Sequence, residues 1–273
     1  MNTTLSSRPP QAGKHTGPIR IGQIVPSSNT TMETEIPAML RTREASHPER
    51  FTFHASRMRM HRVTAEELAS MNREGLRCAA ELADARVDVM STACLVAIMA
   101  SGFGYHRTTE EEYRRIVADN GAQSKVMTSA GALIDGLHAL GAKKVALLAP
   151  YTQALTGKVV AYIEHEGFEV LDRLNFSIED NLEVGRRDPL RLLEDVRRLN
   201  LANVDAVVLS VCVQMQSLPA IQAAEDMIGL PVTSTSVCTV YRMLDLLALE
   251  PVVPGCGALL APARAAKRAR TAA

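Results

Sequence analysis

Two stretches of the sequence decide the fold: VDVMSTAC at residues 87–94 and VDAVVLSVC at residues 204–212. Each begins with Val–Asp, continues as a short and mainly apolar run, and ends shortly after a serine in a cysteine. Runs of this length and composition are typical of strands buried in a parallel sheet. Because both copies lie in one chain of 273 residues, they indicate an internal repeat.

The repeat continues on both sides of these strands. Residues 19–30, IRIGQIVPSSNT, match residues 143–156, KKVALLAPYTQALT, because each joins an apolar strand to a proline and to hydroxyl residues that open a helix. Residues 126–131, VMTSAG, match residues 231–236, PVTSTS. Segments with helical spacing of apolar residues alternate with the strands and are predicted at 64–86, 109–120, 130–140, 155–166, 187–199 and 237–249.

This alternation predicts an α/β fold made of two similar Rossmann-like halves with parallel sheets. We expect one half at residues 19–128 and the other at 129–237, with residues 238–262 packing back on the first half. Residues 1–18 and 263–273 are expected to be disordered tails. The repeated motifs fall at the carboxyl ends of strands, where open α/β sheets bind their ligands.

Composition narrows the function classes. Thirty basic residues balance thirty acidic ones, so net charge favours neither nucleic acid nor a membrane as partner. The apolar runs are too short to span a bilayer, and the polar N-terminus does not resemble a secretory signal. Five irregularly spaced cysteines form neither a disulfide framework nor a zinc motif, which favours the reducing cytoplasm. With no metal-binding histidine pattern and no phosphate-binding glycine motif, we expect no metal and no cofactor.

Cys94 and Cys212 occupy the matching ends of the two repeated strands. A thiol followed by a helix lies near backbone N–H groups, and such surroundings lower its pKa and favour the nucleophilic thiolate. A single cysteine at this position is as readily explained as a small buried core residue. The equivalence of two favours a catalytic pair, whereas three others are interpreted as structural: Cys78, Cys238 and Cys256.

The PSSNT segment at residues 26–30 places small hydroxyl residues and Asn29 at a strand–helix junction. Taken alone, this segment is explained by ordinary helix capping, although the same groups also suit an anion. Tyr151 occupies the equivalent position of the second half, and Asn181 lies in a polar loop that offers one more donor.

Three motifs, VPSSNTTMETE at 25–35, STACLVA at 91–97 and SVCVQM at 210–215, resemble the maleate cis–trans isomerases of the aspartate/glutamate racemase superfamily. The resemblance covers residues 19–261. It implies two halves related by a pseudo-twofold axis, a site in the cleft between them, and a homo-oligomer. It also implies that maleate is the substrate, that fumarate is the product, and that no cofactor takes part.

The resemblance further implies residue roles. Cys94 corresponds to the nucleophile that adds to one alkene carbon, and Cys212 to the partner that handles the proton at the neighbouring carbon. The resulting succinyl-cysteine has a central single bond that can rotate before the thiol is eliminated. The groups that correspond to the carboxylate-binding ones are the side chains of Asn29, Tyr151 and Asn181 and the backbone amides at Leu95, Val96 and Val213.

Two other functions remain open at this point. Two facing thiols could racemise a small acidic amino acid, one removing the Cα proton and the other returning a proton. Two α/β halves around a cleft could also bind a small dicarboxylate without turnover, although a binding protein has no need of paired thiols. Arylmalonate decarboxylases, which are relatives, keep only the cysteine of the second half, whereas this sequence has both.

Overall fold

The computed structural model describes residues 17–60 and 64–262, which form two four-stranded parallel sheets flanked by helices. The first sheet has the order β2-β1-β3-β4 and consists of β1 (Ile19–Pro26), β2 (Phe51–Met58), β3 (Val89–Thr92) and β4 (Lys125–Thr128). The second has the order β6-β5-β7-β8 and consists of β5 (Lys144–Ala149), β6 (Glu169–Asn175), β7 (Ala206–Ser210) and β8 (Val232–Ser234). The two halves therefore repeat one topology.

This topology confirms the predicted α/β fold of two similar halves. The Val–Asp stretches become β3 and β7, and the strands that end in a proline junction become β1 and β5. In each sheet these two strands are central and adjacent. Because adjacent parallel strands end at the same edge, each half brings its proline junction and its cysteine together.

Ten α-helices lie within the described ranges: α1 (Met32–Glu44), α2 (Ala65–Asp84), α3 (Leu95–Ala100), α4 (Tyr105–Asp119), α5 (Ser129–Leu140), α6 (Gln153–His165), α7 (Asn181–Arg186), α8 (Leu192–Asp195), α9 (Leu218–Ile228) and α10 (Thr235–Leu246). Hydroxyl side chains cap several of them. Thr128 accepts the Gly131 N–H at the start of α5, and Ser234 accepts the Val237 N–H at the start of α10. The third repeated motif is thus a pair of equivalent helix caps.

The helix predicted at 187–199 is wrong as a single element. The chain there forms a 3-10 turn at Pro189–Arg191, the short α8, and a second 3-10 turn at Val196–Arg198. Pro189 has no backbone N–H and sets the start of the first turn, which Asp188 caps through the Leu190 N–H. The apolar residues keep their helical spacing, but the backbone forms three short helical segments instead of one continuous helix.

Two strands, β2 and β6, were not predicted from the sequence, and both lie at the edge of a sheet. β6 is exposed or half-buried at every position, and β2 carries polar residues at most of its central positions. An edge strand has a partner on one side only, so it does not need a continuous apolar run. The pattern that identifies β3 and β7 is therefore absent from β2 and β6.

The repeated aspartates at the start of β3 and β7 have a structural role. Asp88 Oδ2 accepts the Arg20 N–H at 2.7 Å, at the start of β1. Asp205 Oδ2 accepts the N–H groups of Lys143 and Lys144 at 2.9 and 2.8 Å, at the start of β5. Each carboxylate thus joins its strand to the neighbouring central strand at the end away from the cysteines.

The C-terminal segment packs across the two halves. Helix α10 contacts β3 and β4 of the first sheet as well as β8, and it packs along α5. Arg43 of α1 donates to the carbonyl oxygens of Glu250 and Val252 at 2.6 and 2.9 Å. The division at residues 128 and 237 stays a prediction, and the predicted tails lie outside the described residues except for 17 and 18. Within the described ranges, no helix combines the length and apolar character needed to cross a membrane.

Candidate active site

A small cavity lies where the carboxyl ends of the two sheets face each other. The first half contributes Pro26, Asn29, Met60, Cys94 and Val96 to its wall, and the second half contributes Tyr151, Asn181, Cys212, Val213 and Gln214. Every residue that the sequence analysis proposed for the site lines this cavity except Leu95, which is buried beside Cys94. Residues far apart in the chain are therefore brought to one place.

Cys94 has an unusual backbone conformation. Its φ of +73° and ψ of +69° lie in the left-handed region, and it immediately precedes α3. This conformation costs a residue with a side chain about 1–2 kcal/mol, and such strain is concentrated at functional sites. It turns the chain sharply from β3 into α3, and Cys94 remains partly exposed at the cavity.

The Cys94 thiol does not have the lowered pKa that its position before a helix suggested. Burial and, less strongly, the neighbouring Cys212 raise its pKa, the Ala97 N–H lowers it, and the net result is a pKa of about 12. Desolvation disfavours the charged thiolate more strongly than one N–H group favours it. The expectation of a thiolate activated by the helix alone is therefore wrong.

Cys212 lies in a loop between β7 and α9 and is buried. Burial raises its pKa as well, but the Tyr151 hydroxyl and the N–H groups of Gln214 and Met215 lower it. Ser210 shapes the loop, since its Oγ lies 2.8 Å from the Cys212 carbonyl oxygen and 3.1 Å from that of Met215. The thiolate of Cys212 thus has three hydrogen-bond donors: two backbone N–H groups of its own loop and the Tyr151 hydroxyl, which lies between β5 and α6.

Tyr151 follows β5, in the position equivalent to the PSSNT segment of the first half. Its hydroxyl lies 3.2 Å from the Val211 carbonyl oxygen and within hydrogen-bonding reach of the Cys212 thiol, and its single hydrogen is donated to one of these two acceptors at a time. Burial raises the pKa of Tyr151 well above its ordinary value, and the two cysteines raise it further. The phenol therefore stays protonated and acts as a hydrogen-bond donor.

The two ends of the Asn29 side-chain amide have different partners. Its Oδ1 accepts the N–H groups of Thr31 and Met32 at 3.0 Å each, which opens α1. Its Nδ2 takes no partner among the described residues and belongs to a side chain that lines the cavity. Capping and ligand binding, which the sequence analysis treated as alternatives, are compatible because they use opposite ends of one amide.

Asn181 begins α7, which Asp180 caps through the N–H groups of Leu182 and Glu183. Its Nδ2 donates to Ser28 Oγ at 2.9 Å, so it contacts the PSSNT segment of the other half. An amide nitrogen carries two hydrogens, and the second is available for a ligand. Asn181 therefore joins the two halves at the cavity wall.

Three wall residues were missed by the sequence analysis: Pro26, Met60 and Gln214. Pro26 and Gln214 lie inside motifs that carried the resemblance, so their proximity to Asn29 and Cys212 was an available signal. Met60 follows β2, a strand that was not predicted, and nothing in the sequence marks it. None of the ten wall residues carries a formal charge. Among the described residues, no group of three His, Cys, Asp or Glu is placed to hold a metal ion.

Comparison with protein families identifies relatives along nearly the whole chain. The family model for arylmalonate decarboxylase matches residues 21–260. The maleate isomerase of Pseudomonas putida is 59% identical over 244 residues, which are 89% of this chain and 98% of the relative. That of Geobacillus stearothermophilus is 58% identical over 242 residues, which are 88% and 96% of the two chains.

Solved structures share the fold. A cysteine-to-alanine variant of maleate isomerase from Pseudomonas putida S16 with maleate has a TM-score of 0.89 at 54% identity, covering 90% of this chain and 99% of that one. A cysteine-to-serine variant of the Nocardia farcinica maleate cis–trans isomerase, with a covalently bound succinylcysteine intermediate, has a TM-score of 0.86 at 46% identity, covering 89% and 98%. Arylmalonate decarboxylase shares the fold at a TM-score of 0.69 and 21% identity. The chain therefore belongs to the arylmalonate decarboxylase family and, within it, to the maleate isomerases.

Proposed function

We propose that this protein isomerises maleate to fumarate through a covalent succinyl-cysteine intermediate and without a cofactor. The observation that carries the proposal is the pair of cysteines at one cavity, each from the equivalent strand end of its half. The cavity walls offer neutral donors for carboxylates, and the curated relatives at 58–59% identity are maleate isomerases. Family, geometry and chemistry therefore support one reaction.

The reaction needs a temporary single bond, because rotation about a C=C bond is prohibitively slow. The Cys94 thiolate forms a C–S bond to one alkene carbon, and the other alkene carbon takes the proton of the Cys212 thiol. The former double bond then rotates. The Cys212 thiolate removes a proton from the same carbon, the C–S bond breaks, and Cys94 leaves as a thiolate. Covalent catalysis thus replaces one hard step by two easier ones, and the protein returns to its starting charge.

The surroundings of the two thiols support this division of labour. Two neighbouring thiols disfavour each other's ionisation, so the second thiol stays protonated when the first becomes a thiolate. The thiolate of Cys212 is stabilised by three donors, which makes Cys212 the better acid. The thiolate of Cys94 has only one donor, so the first negative charge of the pair lies on Cys212, which takes the Cys94 proton as Cys94 adds to the alkene and then gives it to the neighbouring carbon.

The Nocardia farcinica structure supports a single nucleophile. In that protein one cysteine is replaced by serine, and a succinylcysteine intermediate is bound covalently. A different cysteine therefore carries the adduct there, and addition does not require both thiols. We assign the adduct to Cys94 in this chain, since Cys94 is partly exposed at the cavity and Cys212 is buried.

The carboxylates of the substrate are held by neutral groups. Asn29 and Asn181 line one cavity from opposite halves, and we assign the carboxylate contacts to Asn29 Nδ2 and to the second hydrogen of Asn181 Nδ2. Addition of the thiolate moves negative charge onto the carboxylate next to the reacting carbon, and preorganised donors stabilise this charge. Backbone N–H groups at Leu95, Val96 and Val213 are the further donors that we propose.

An amino-acid racemase fits the cavity less well. Aspartate and glutamate carry an ammonium group, which needs an acidic partner when it leaves water. Among the residues that the structure describes, none that lines the cavity is acidic. The uncharged wall with its amide donors therefore favours a dicarboxylate that has no amino group.

The test is incubation of the purified protein with maleate in the presence of EDTA, followed by proton NMR. We expect the vinyl signal of maleate to be replaced by that of fumarate without any added cofactor. Maleate that binds but persists unaltered would support a binding protein and contradict the proposal. Exchange of the Cα proton of aspartate or glutamate in D₂O, without fumarate formation, would support a racemase.

We also propose that the protein acts in the cytoplasm as a homo-oligomer. All five cysteines are free thiols, which suits a reducing compartment. The homo-oligomer is inferred from the family resemblance. Light scattering coupled to size-exclusion chromatography tests it, and a mass equal to one chain would contradict it.

A further inference from the structure

Gln214 is a buried residue whose side chain makes contacts in both halves. It is 2% exposed and lies two residues after Cys212. Its Oε1 accepts the N–H groups of Thr30 and Thr31 at 2.9 and 3.2 Å, across more than 180 residues of sequence. Its Nε2 donates to the carbonyl oxygens of Ser28 and Asn181 at 3.2 and 2.9 Å. All four hydrogen-bonding positions used by a side-chain amide are therefore filled.

The main chain of Gln214 serves the acid thiol. Its N–H stabilises the thiolate of Cys212, and its carbonyl oxygen accepts the Thr31 hydroxyl at 2.8 Å. One residue thus contacts the Cys212 thiol through its backbone and both carboxylate-binding segments through its side chain. Those segments are residues 28–31, which contain Asn29, and the start of α7 at Asn181.

A glycine provides the space for this amide. A Cβ atom at Gly185 of α7 would lie 2.4 Å from Gln214 Nε2, closer than real Cβ contacts permit, and 3.0 Å from its Cδ, which is already tight. The backbone of Gly185 has no positive φ, so glycine is not required there by the conformation. Glycine is needed here because α7 passes close to the Gln214 amide, and a larger residue at position 185 would push the two apart.

We propose that the Gln214 side chain is a positioning residue, which sets the distance between the Cys212 thiol and the amides of Asn29 and Asn181. The inference rests on the proposed function, because it concerns how that site is assembled. A substrate held between Asn29 and Asn181 meets the acid thiol only when these segments keep their spacing. A misplacement of about 1 Å at a reacting centre costs roughly 100-fold in rate.

The first variant is Gln214→Glu, which preserves shape and the acceptor for Thr30 and Thr31. It replaces the donor Nε2 by an oxygen that faces the carbonyl oxygens of Ser28 and Asn181. We expect kcat/KM for maleate to fall by roughly 10- to 100-fold. The inhibition constant of succinate, which cannot react, should rise as well, since the carboxylate-binding segments move apart.

The second variant acts on the same amide from the opposite side. Gly185→Ala introduces a methyl group into the space of Nε2, and we expect losses in the same direction. Its matched control is Gly157→Ala in α6, where a Cβ would meet no atom of the described residues within 4 Å. Both changes improve helix propensity by up to about 1 kcal/mol. The two variants therefore differ only in the contact that the new methyl group makes with Gln214. We expect Gly157→Ala to keep the kinetics of the unchanged protein.

A purely structural role predicts different results. Loss of folded protein lowers the apparent kcat but leaves KM and the succinate inhibition constant unchanged. A positioning role also makes Gln214→Glu and Asn181→Ala less than additive in ΔΔG‡, because the first acts through the second. Unchanged kinetics in Gln214→Glu and Gly185→Ala, or losses that vanish after normalisation to folded protein, would overturn the inference. Absence of fumarate from the unchanged protein and from Gly157→Ala would instead overturn the proposed function.

Discussion

The ends of β3 and β7 occupy the same place in two similar halves, yet they surround their cysteines differently. Cys94 has a left-handed backbone, passes directly into α3 and is partly exposed. Cys212 is buried in a loop that Ser210 holds in shape before α9 begins at Leu218. One N–H group stabilises the Cys94 thiolate, whereas a phenol and two N–H groups stabilise that of Cys212.

This difference shows how two repeated halves form an asymmetric site. The repeated fold places two thiols opposite each other, which by itself would suit a symmetric reaction. We propose that the different numbers of donors make Cys212 the better acid and leave Cys94 as the thiol that adds to the alkene. The experiments below test whether the two strand ends have in fact acquired unequal roles.

The largest expected effect separates the two cysteines directly. Cys94→Ser removes the soft nucleophile, and we expect maleate turnover to fall by at least about 10³-fold with no adduct. Cys212→Ser should lower turnover by a similar factor, because it removes the acid, but should still give a succinyl adduct on Cys94. Mass spectrometry of protein quenched with maleate distinguishes the two cases.

The control for both variants is Cys256→Ser, since Cys256 is buried in a turn where its sulfur contacts the Pro254 carbonyl oxygen. We expect this variant to retain its activity. An adduct that appears on Cys212 in the Cys94→Ser variant, or only on Cys212 in the unchanged protein, would reverse the assigned roles.

A smaller effect is expected from Tyr151→Phe, which makes the surroundings of Cys212 more like those of Cys94. The variant loses the hydroxyl that stabilises the Cys212 thiolate. A hydrogen bond to a charged group contributes about 1.5–3 kcal/mol, so we expect kcat to fall roughly 10- to 100-fold. Tyr162→Phe, whose hydroxyl contacts His106 instead, is the matched control. Equal kinetics in the two variants would remove Tyr151 from the acid machinery.

The pH dependence tests the raised thiol pKa values. Burial raises the pKa of Cys94 to about 12, and burial also raises that of Cys212. The reacting form needs one thiolate, and a group with a raised pKa becomes charged only as the pH increases. We therefore expect kcat/KM to rise by up to about tenfold per pH unit between about pH 6.5 and 9. A profile that is flat or falls over this range would show that the working thiolate is already formed near neutrality.

The smallest expected effect compares the two structural aspartates. The N–H groups of Lys144 and Lys143 lower the pKa of Asp205, so the charged form stabilises the fold. This contribution is present above the ordinary carboxyl pKa of about 3.9 and is lost as the pH falls through the lower folded value. Since Asp205 is exposed, we expect Asp205→Asn to cost less than about 1 kcal/mol at neutral pH, with kcat unchanged.

Urea unfolding at neutral pH and near pH 3 measures this difference, which should shrink in acid. Asp88→Asn is the companion variant, and its carboxylate accepts one N–H group instead of two. We therefore expect a smaller loss than for Asp205→Asn. A loss of catalytic activity in either variant would contradict a purely structural role for the repeated aspartates.

Local sequence determined the central strands and the candidate catalytic pair. β1, β3, β5 and β7 are buried at most positions on both faces, so their residues are mainly apolar. The repeat then identified Cys94 and Cys212 among five cysteines. The edge strands β2 and β6 lack this constraint, and the helix predicted at 187–199 was divided by Pro189.

Only the tertiary structure decided how the site is assembled and charged. Burial by both halves raises the pKa of the Cys94 thiol, and no local sequence pattern around Cys94 indicates the direction of this shift. The contacts of Gln214 with Thr30 and Asn181, and the place of Met60 in the wall, join segments distant in sequence. The sequence by itself therefore determined which residues could react, because apolar periodicity and repetition are local. The structure decided their environment, because desolvation and long-range hydrogen bonds exist only after the halves have packed together.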